Sequence, residues 1–229
     1  MDHDTSVLPG SVERSYPLHC LSDTHDFHQL LVGLDGRVDV EVEGRGAAVA
    51  PGGVCLIPGG ATHHYLGMET GNRCRVLDLP VGDDRLDALF ARIRFLRLAA
   101  DEARRASDAA LLAQLTGAPP LAGPRLNMAR LTRRVQADPG AAWSLARLAE
   151  ASRLSERQLR RSLTALTGLP PWQWLQRQRL AQAARLLDTS EATITEIALA
   201  CGFADGPQFS RHFRRWHGMT PREFRRRHR

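Results

Sequence analysis

The sequence predicts an α+β chain of two domains: an N-terminal β domain, and a C-terminal all-α domain in which two helix-turn-helix units share one long helix. Three observations carry this. Residues 27 to 79 alternate short apolar runs with Gly and Pro, the pattern of strands and tight turns. Residues 144 to 221 repeat one helix, turn, helix plan at an interval of about 50 residues. The charge also divides: 11 Arg against 17 acidic residues up to position 124, a balance of −6, and 20 Arg against 8 acidic residues from position 125, a balance of +12.

With 229 residues, 43% hydrophobic and 24% charged, the chain can fill two cores and lacks the composition of a disordered or fibrous protein. No apolar run approaches the roughly 18 residues that cross a bilayer, and Met1-Asp2-His3-Asp4 is not the basic start of a secretory signal. The expected location is the cytoplasm, on the nucleoid, with no membrane partner. Cys20, Cys55, Cys74 and Cys201 have no CxxC spacing and read as reduced thiols.

In the first half, Gln29-Leu30-Leu31-Val32 leads into the hairpin dipeptide Asp35-Gly36. Val38, Val40 and Val42 then alternate with Asp39, Glu41 and Glu43, as in a half-buried strand. Pro51-Gly52-Gly53 and Pro58-Gly59-Gly60 bound Val54-Cys55-Leu56-Ile57, and Cys74 to Leu79 reads as another strand. Many short strands so spaced suggest a sandwich or barrel. The run His25-x-x-x-Gln29, Gly36, Pro51-Gly52, Leu56-Ile57-Pro58-x-Gly60-x-x-His63 resembles a cupin, the small β jelly-roll.

That resemblance places a site. In metal-using cupins a first motif supplies two His and a later Glu, and a second motif supplies another His. Here Asp23 stands for the first His, His25 for the second, Gln29 for the Glu, and His63 fits the second motif. Strand alternation aims Asp23, His25, Phe27 and Gln29 at one face, the barrel interior, with His28 outward and His64 and Tyr65 turned away or closing the mouth. Effector contacts are therefore expected from Asp23, His25, Phe27, Gln29, His63 and Tyr65. His25 and His63 are the candidate ligands for a divalent zinc, iron or nickel ion. The same groups equally suit a small polar ligand without metal, or a structural network; no other cofactor is expected.

The sensor domain is expected over 1–82 and a helical connector with a linker over 83–124. Asp83-Asp84 caps a helix through Phe90, Phe95 to Leu98 is a strand or more helix, and Ala99 to Leu115 has helical spacing. Its apolar stripe of Leu111, Leu112 and Leu115 serves either packing on the barrel or a homodimer contact. Gly117 to Pro124 is a linker by composition.

Residues 125–229 carry the duplicated unit. Ser144 precedes Leu145, Leu148 and Ala149, the pattern breaks near Ser152-Arg153-Leu154, and Ser155 with Gln158 forms a capping box for a helix through Leu159 and Leu163 to Gly168. Ile194, Ile197, Ala198, Cys201-Gly202-Phe203, the N-cap Asp205, Phe209, Phe213 and Gly218 repeat it. Between them runs a long helix from Pro171 to Leu187 with Trp172, Leu175, Leu180, Ala183, Leu186 and Leu187 on its apolar side.

The stretch Ile197-Ala198-x-x-x-Gly202-Phe203-x-Asp205-x-x-x-Phe209-x-Arg211-x-Phe213-Arg214-x-x-x-Gly218-x-Thr220-Pro221-x-x-Phe224-Arg225 resembles the DNA-binding domain of the AraC/XylS family of transcription regulators, over roughly Asn127 to Arg227. The resemblance implies a non-enzymatic, sequence-specific regulator whose partners are double-stranded promoter DNA, a small-molecule effector and RNA polymerase, with a homodimer as a further expectation. DNA contacts are expected from Glu156, Arg157, Arg160, Arg161 and Thr164 in the first unit and Gln208, Ser210, Arg211, Arg214 and Arg215 in the second. Gly206 and Pro207 have no side-chain donor, so the second helix is expected to favour phosphate and shape over base edges. The tail Arg225 to Arg229 is a phosphate clamp or a frayed end. Two other classes stay open: a cupin metalloenzyme with a DNA-binding appendage, and an architectural binder without effector.

Overall fold

The structure, a computed structural model, describes residues 10–123 and 126–228. The chain divides into two compact units, Met1–Arg130 and Leu131–Arg229. Among the described residues, no helix is long and apolar enough to cross a membrane.

The first unit holds two antiparallel sheets. Its strands are β1 (Val12–Arg14), β2 (Leu21–Asp23), β3 (His28–Asp35), β4 (Val38–Val42), β5 (Arg45–Val49), β6 (Gly53–Ile57), β7 (His63–Gly67), β8 (Arg73–Leu79) and β9 (Arg94–Arg97). One sheet runs β1-β8-β3-β6-β9 and the other β2-β7-β4-β5. The layer between them is apolar, with Leu31, Cys55, Ile57 and Val76 from the first sheet and Val38, Val40, Val42 and Tyr65 from the second.

The five-stranded sheet is buried on its other face as well. Leu30, Val32, Val54, Leu56 and Leu77 lie beneath α1 (Asp84–Phe90), α2 (Ala100–Arg105) and α3 (Asp108–Gln114), which contribute Leu86, Phe90, Ala103 and Leu111, with Leu115 following. β3 therefore reads as an unbroken apolar run, as expected of a strand covered on both sides. Residues 95–97 are strand, and the helical stretch 99–115 is two helices, because Ala106 leaves the helical region and Ser107 caps a new start. Leu111 and Leu115 are committed to the sheet.

Outward-facing polar groups of both sheets are buried beneath covering segments. His28 points out of the barrel, as expected, but toward α1, where it is only 6% exposed. It stacks on Phe90 at 4.7 Å, accepts the Gly59 N–H at Nδ1 (3.1 Å) and meets Asp87 through Nε2 (2.9 Å), which holds the Asp87 carboxyl below the usual range. On β4, Asp39 and Glu41 leave the inter-sheet layer as alternation requires, yet they too are buried. Asp39 accepts from Arg37 (2.7 Å) and from the Met128 N–H (2.6 Å), and Glu41 accepts the Gly44 N–H (2.6 Å). Asn127 donates to the Val40 and Ala47 carbonyls, so this segment covers the outer face of β4 and β5. Burial pushes the Asp39 carboxyl up, against the pull of Arg37.

The second unit contains α5 (Leu145–Ser152), α6 (Glu156–Thr167), α7 (Pro171–Thr189), α8 (Ile194–Ala200), α9 (Gly206–His217) and α10 (Pro221–His228); α4 (Met128–Ala137) precedes them. The two helix-turn-helix units correspond almost residue for residue. Leu148 and Ala149 match Ile197 and Ala198 at a spacing of 49, while Leu159 and Leu163 match Phe209 and Phe213 at 50, so the second turn carries one extra residue. Both turns close in the same way: Leu154 N–H bonds the Ala149 carbonyl as Phe203 N–H bonds that of Ala198, around a left-handed residue. That residue is Arg153 (φ 55°) in the first unit and Gly202 (φ 78°) in the second.

Gly202 is needed for a second reason, because a Cβ there would meet the Arg179 guanidinium at 2.7 Å. Arg179 donates to the carbonyls of Pro139 (2.9 Å), Ala141 (3.1 Å) and Gly202 (3.1 Å), tying α7 to the loop before α5 and to the second turn. Along α7, Trp174 is the buried tryptophan; Trp172, placed on the apolar side from sequence, is 60% exposed. All four cysteines are buried thiols outside any disulfide.

Replacing Arg179 with Ala leaves three carbonyls without their donor. Urea denaturation of Arg179→Ala is expected to show a loss of about 1 to 3 kcal/mol. An unchanged midpoint would remove Arg179 from the list of structural residues.

Candidate nucleic-acid interface and ligand site

The DNA-facing candidates of the first helix-turn-helix form a built surface. Ser155 accepts the Gln158 N–H and the Gln158 side chain returns to the Ser155 N–H, so α6 starts with a closed capping box. Leu159 and Leu163 are fully buried. With that face fixed inward, Arg157, Arg160, Arg161 and Thr164, spaced at i, i+3, i+4 and i+7, lie on the exposed face, with Glu156 at its start. Arg157, Arg160 and Arg161 make no hydrogen bond or ion pair among the described residues. Thr164 differs, since its hydroxyl donates to the Leu169 carbonyl (3.2 Å) beyond the helix end.

The second surface is thinner. Asp205 caps α9, Gly206 and Pro207 occupy its first turn, and Phe209 and Phe213 are buried. Arg211, Arg214 and Arg215 are exposed and Ser210 is half-buried. The Gln208 side-chain oxygen accepts the Ala204 N–H (3.1 Å) and so helps close the helix start. Arg225 corrects the reading of the tail: it donates to the carbonyls of Leu187 (3.3 Å) and Ala192 (2.6 Å), closing the end of α7. Arg226 and Arg227 are exposed, while the side chain of His228 and all of Arg229 lie outside the described residues.

Sequence reasoning missed an aromatic cleft of about 330 Å³ in this unit, between α7 and α9. Trp172 and Trp216, 60% and 50% exposed, line it, with the Arg177 guanidinium 5.3 Å from the Trp216 ring. The helical pattern from Phe209 and Phe213 would have put Trp216 at the edge of the apolar face, which is where it lies.

The polar cluster of the first unit assembles differently from the sequence expectation. Residues 24–27 are not strand, so Asp23 and Gln29 belong to different sheets and not to one alternating run. Asp23 pairs in register with His63 on the edge strand β2 and is exposed. Phe27 stacks on His25 at 3.9 Å, and His25 meets His63 edge-on at 4.8 Å. Gln29, His63 and Tyr65 are buried. Tyr65 points inward, donating to the Gln29 oxygen (3.2 Å), while its neighbour His64 takes the opposite face beside Glu41. Gln29 in turn donates to Asp78 (2.8 Å), which Arg14 also reaches (3.1 Å). Asp78 was invisible as a partner because only the register of β3 with β8 places it opposite Gln29.

Burial sets the protonation here. Desolvation lowers the His63 imidazole below its usual range and raises the Tyr65 and Tyr16 phenols. No group of three or more His, Cys, Asp or Glu among the described residues is placed to hold a metal ion. His25 and His63 thus come together without a third strong ligand.

Two capped helix-turn-helix units, each exposing arginines on its second helix, define the second unit as a DNA-binding domain. Residues 148–227 match the family described as a helix-turn-helix domain. The HTH-type transcriptional activator RhaS of Escherichia fergusonii is 47% identical over 78 residues, covering 34% of this chain and 28% of that protein's length. The probable transcriptional regulator LumQ of Photobacterium leiognathi is 25% identical over 223 residues, 87% of this chain and 90% of that protein. A crystal structure of a transcriptional regulator described as AraC-type from Chromobacterium violaceum is 32% identical, covering 46% of this chain and 92% of its own, with a TM-score of 0.43. Residues 148–227 thus form a helix-turn-helix domain, similar to that of the activator RhaS.

Arg160→Ala is expected to weaken binding to a preferred duplex by about 1 to 3 kcal/mol and to relax the preference at one base pair. An equal loss on every sequence would reassign Arg160 to phosphate. Arg225→Ala should act on folding, lowering the thermal midpoint, whereas removal of the Arg226 and Arg227 charges should reduce the salt dependence of binding with the fold intact. The reverse pattern would restore the whole tail as a phosphate clamp.

Proposed function

We propose that this protein is a ligand-responsive, sequence-specific regulator of transcription that acts by binding and not by catalysis. The observation that carries the reading is the stripe of unpaired arginines on the capped helix α6 of an AraC-type domain. Such a helix fits the major groove, where Arg bonds the O6 and N7 of guanine, and flanking cations fix register on phosphate. The second unit, with Arg211 and Arg214 beside a donor-free Gly206-Pro207 start, adds phosphate contact and shape readout.

The first unit is the sensor. Strands in the order 1-8-3-6 facing 2-7-4-5 support a jelly roll of the cupin kind, whose enclosed end suits a small effector. Residues 1–82 with the helical stretch 83–124 belong to this function, and residues from 125 on to DNA. The effector contacts are His25, Phe27, Gln29, His63 and Tyr65, with Asp23 at the rim. An effector shifts the balance between two states only if it binds one of them better. Promoter DNA and RNA polymerase are the macromolecular partners. Because Leu111 and Leu115 are used up in packing, a homodimer has to form through other residues. The relative RhaS carries the name of an activator, which supports activation as the outcome here.

Selection of the purified protein against a random duplex library tests this. The expected product is a motif of two parts about one helical turn apart, with the first part erased by Arg157→Ala combined with Arg160→Ala. Enrichment no better than bulk DNA would favour an architectural binder instead.

A further inference from the structure

The two histidines of the sensor cluster share a chemical state that restricts what can bind between them. His63 Nδ1 lies 2.8 Å from the Ala61 carbonyl oxygen, and His25 Nδ1 lies 2.8 Å from that of Phe27. A carbonyl oxygen only accepts, so both Nδ1 atoms carry a proton, and in the neutral imidazole each Nε2 then holds a lone pair. Both Nε2 atoms are buried and have no hydrogen-bond partner among the described residues.

The neighbours do not supply the missing donors. The Tyr65 hydroxyl proton is directed to Gln29, and Gln29 directs its amide to Asp78. A buried acceptor without a donor costs free energy, and here two of them lie on rings 4.8 Å apart. The rings of Phe27 and Tyr65 flank them, stacked on His25 at 3.9 Å and edge-on to His63 at 4.9 Å. The immediate surroundings are therefore two lone pairs between aromatic faces. Among the described residues, no third ligand of the His, Cys, Asp or Glu type completes a metal site there, and no cationic side chain bonds the Nε2 atoms to compensate a buried anion.

We propose that His25 and His63 are the specificity-determining pair of the sensor, and that they select a neutral molecule presenting at least two hydrogen-bond donor hydrogens, as a primary amide or a diol does, and reject a carboxylate. This rests on the reading of the first unit as an effector sensor. The pair acts as a double acceptor, so exchanging a donor head group for an isosteric acceptor places lone pair against lone pair. An acceptor left facing a wrong group is a strong basis for discrimination, as in other sites built around hydrogen bonds.

Benzamide and benzoate share one ring and nearly one shape but differ in this respect, and acetamide and acetate repeat the comparison at smaller size. In full-length protein with 15N-labelled histidine, the amide of at least one pair is expected to move the Nε2 signals of both residues upfield. It should bind at least tenfold more tightly than its carboxylate. The control is His25→Asn with His63→Asn. The Asn amide nitrogen takes the place of Nδ1 and keeps the bond to the carbonyl, while Nε2 alone disappears. The preference should vanish in that variant with the thermal midpoint near the parent's. Equal or tighter binding of the carboxylates, stoichiometric capture of Zn2+ by the two Nε2 atoms, or no movement of either signal with both amides would each overturn the proposal. A mobility-shift assay on the selected duplex separates the two claims. Amide binding that follows the histidines but leaves DNA occupancy unchanged keeps the ligand class and removes the effector role.

Discussion

Burial of the five-stranded sheet on both faces is the constraint from which the first unit follows. Leu31 points into the layer between the sheets while Leu30 and Val32 point out of it, and all three are inaccessible to water. A sheet with two apolar faces cannot leave one to solvent. Residues 84–115, which by composition look like a connector, therefore add strand β9 to the sheet and fold down as three short helices over its outer face. Arg75 fastens them, donating to the Ala106 carbonyl (2.7 Å) and pairing with Asp108 at the start of α3.

The same constraint decides where polar chemistry survives inside. With the centre of the inter-sheet layer filled largely by Val, Leu and Ile, each buried polar side chain at its margin needs a partner. Arg14, Asp78, Gln29 and Tyr65 satisfy one another in a chain from the surface inward. His25 and His63 satisfy one nitrogen each and keep the other open.

The second unit resolves its polar groups in the opposite sense. Capping boxes, left-handed turn residues and the Arg179 and Arg225 staples settle the backbone locally, using donors that charge counting alone would assign to DNA. Among the described residues, the cations left unpaired include those on the outward faces of α6 and α9. One unit keeps unpartnered histidine nitrogens inside, while the other keeps unpaired cations outside, where they suit a polyanion.

Sequence alone determined the duplicated helix-turn-helix, the helix boundaries at Ser155, Gly168, Asp205 and Gly218, and the arginine stripe, because caps and helical periodicity are local and act within a few residues. Through the resemblance to a cupin it also singled out His25, Gln29, His63 and Tyr65, which the structure brings into one cluster. Tertiary structure decided the rest. Only strand register could set Asp78 against Gln29, turn Tyr65 inward and leave Asp23 at the edge, since alternation tells which face a residue takes but not what the partner strand places there. Only packing could bury His28 against Phe90 and Asp87, or commit Arg179 and Arg225 to backbone carbonyls. Those outcomes depend on groups tens of positions distant in the chain, and a side chain's role follows from which of them reaches it first.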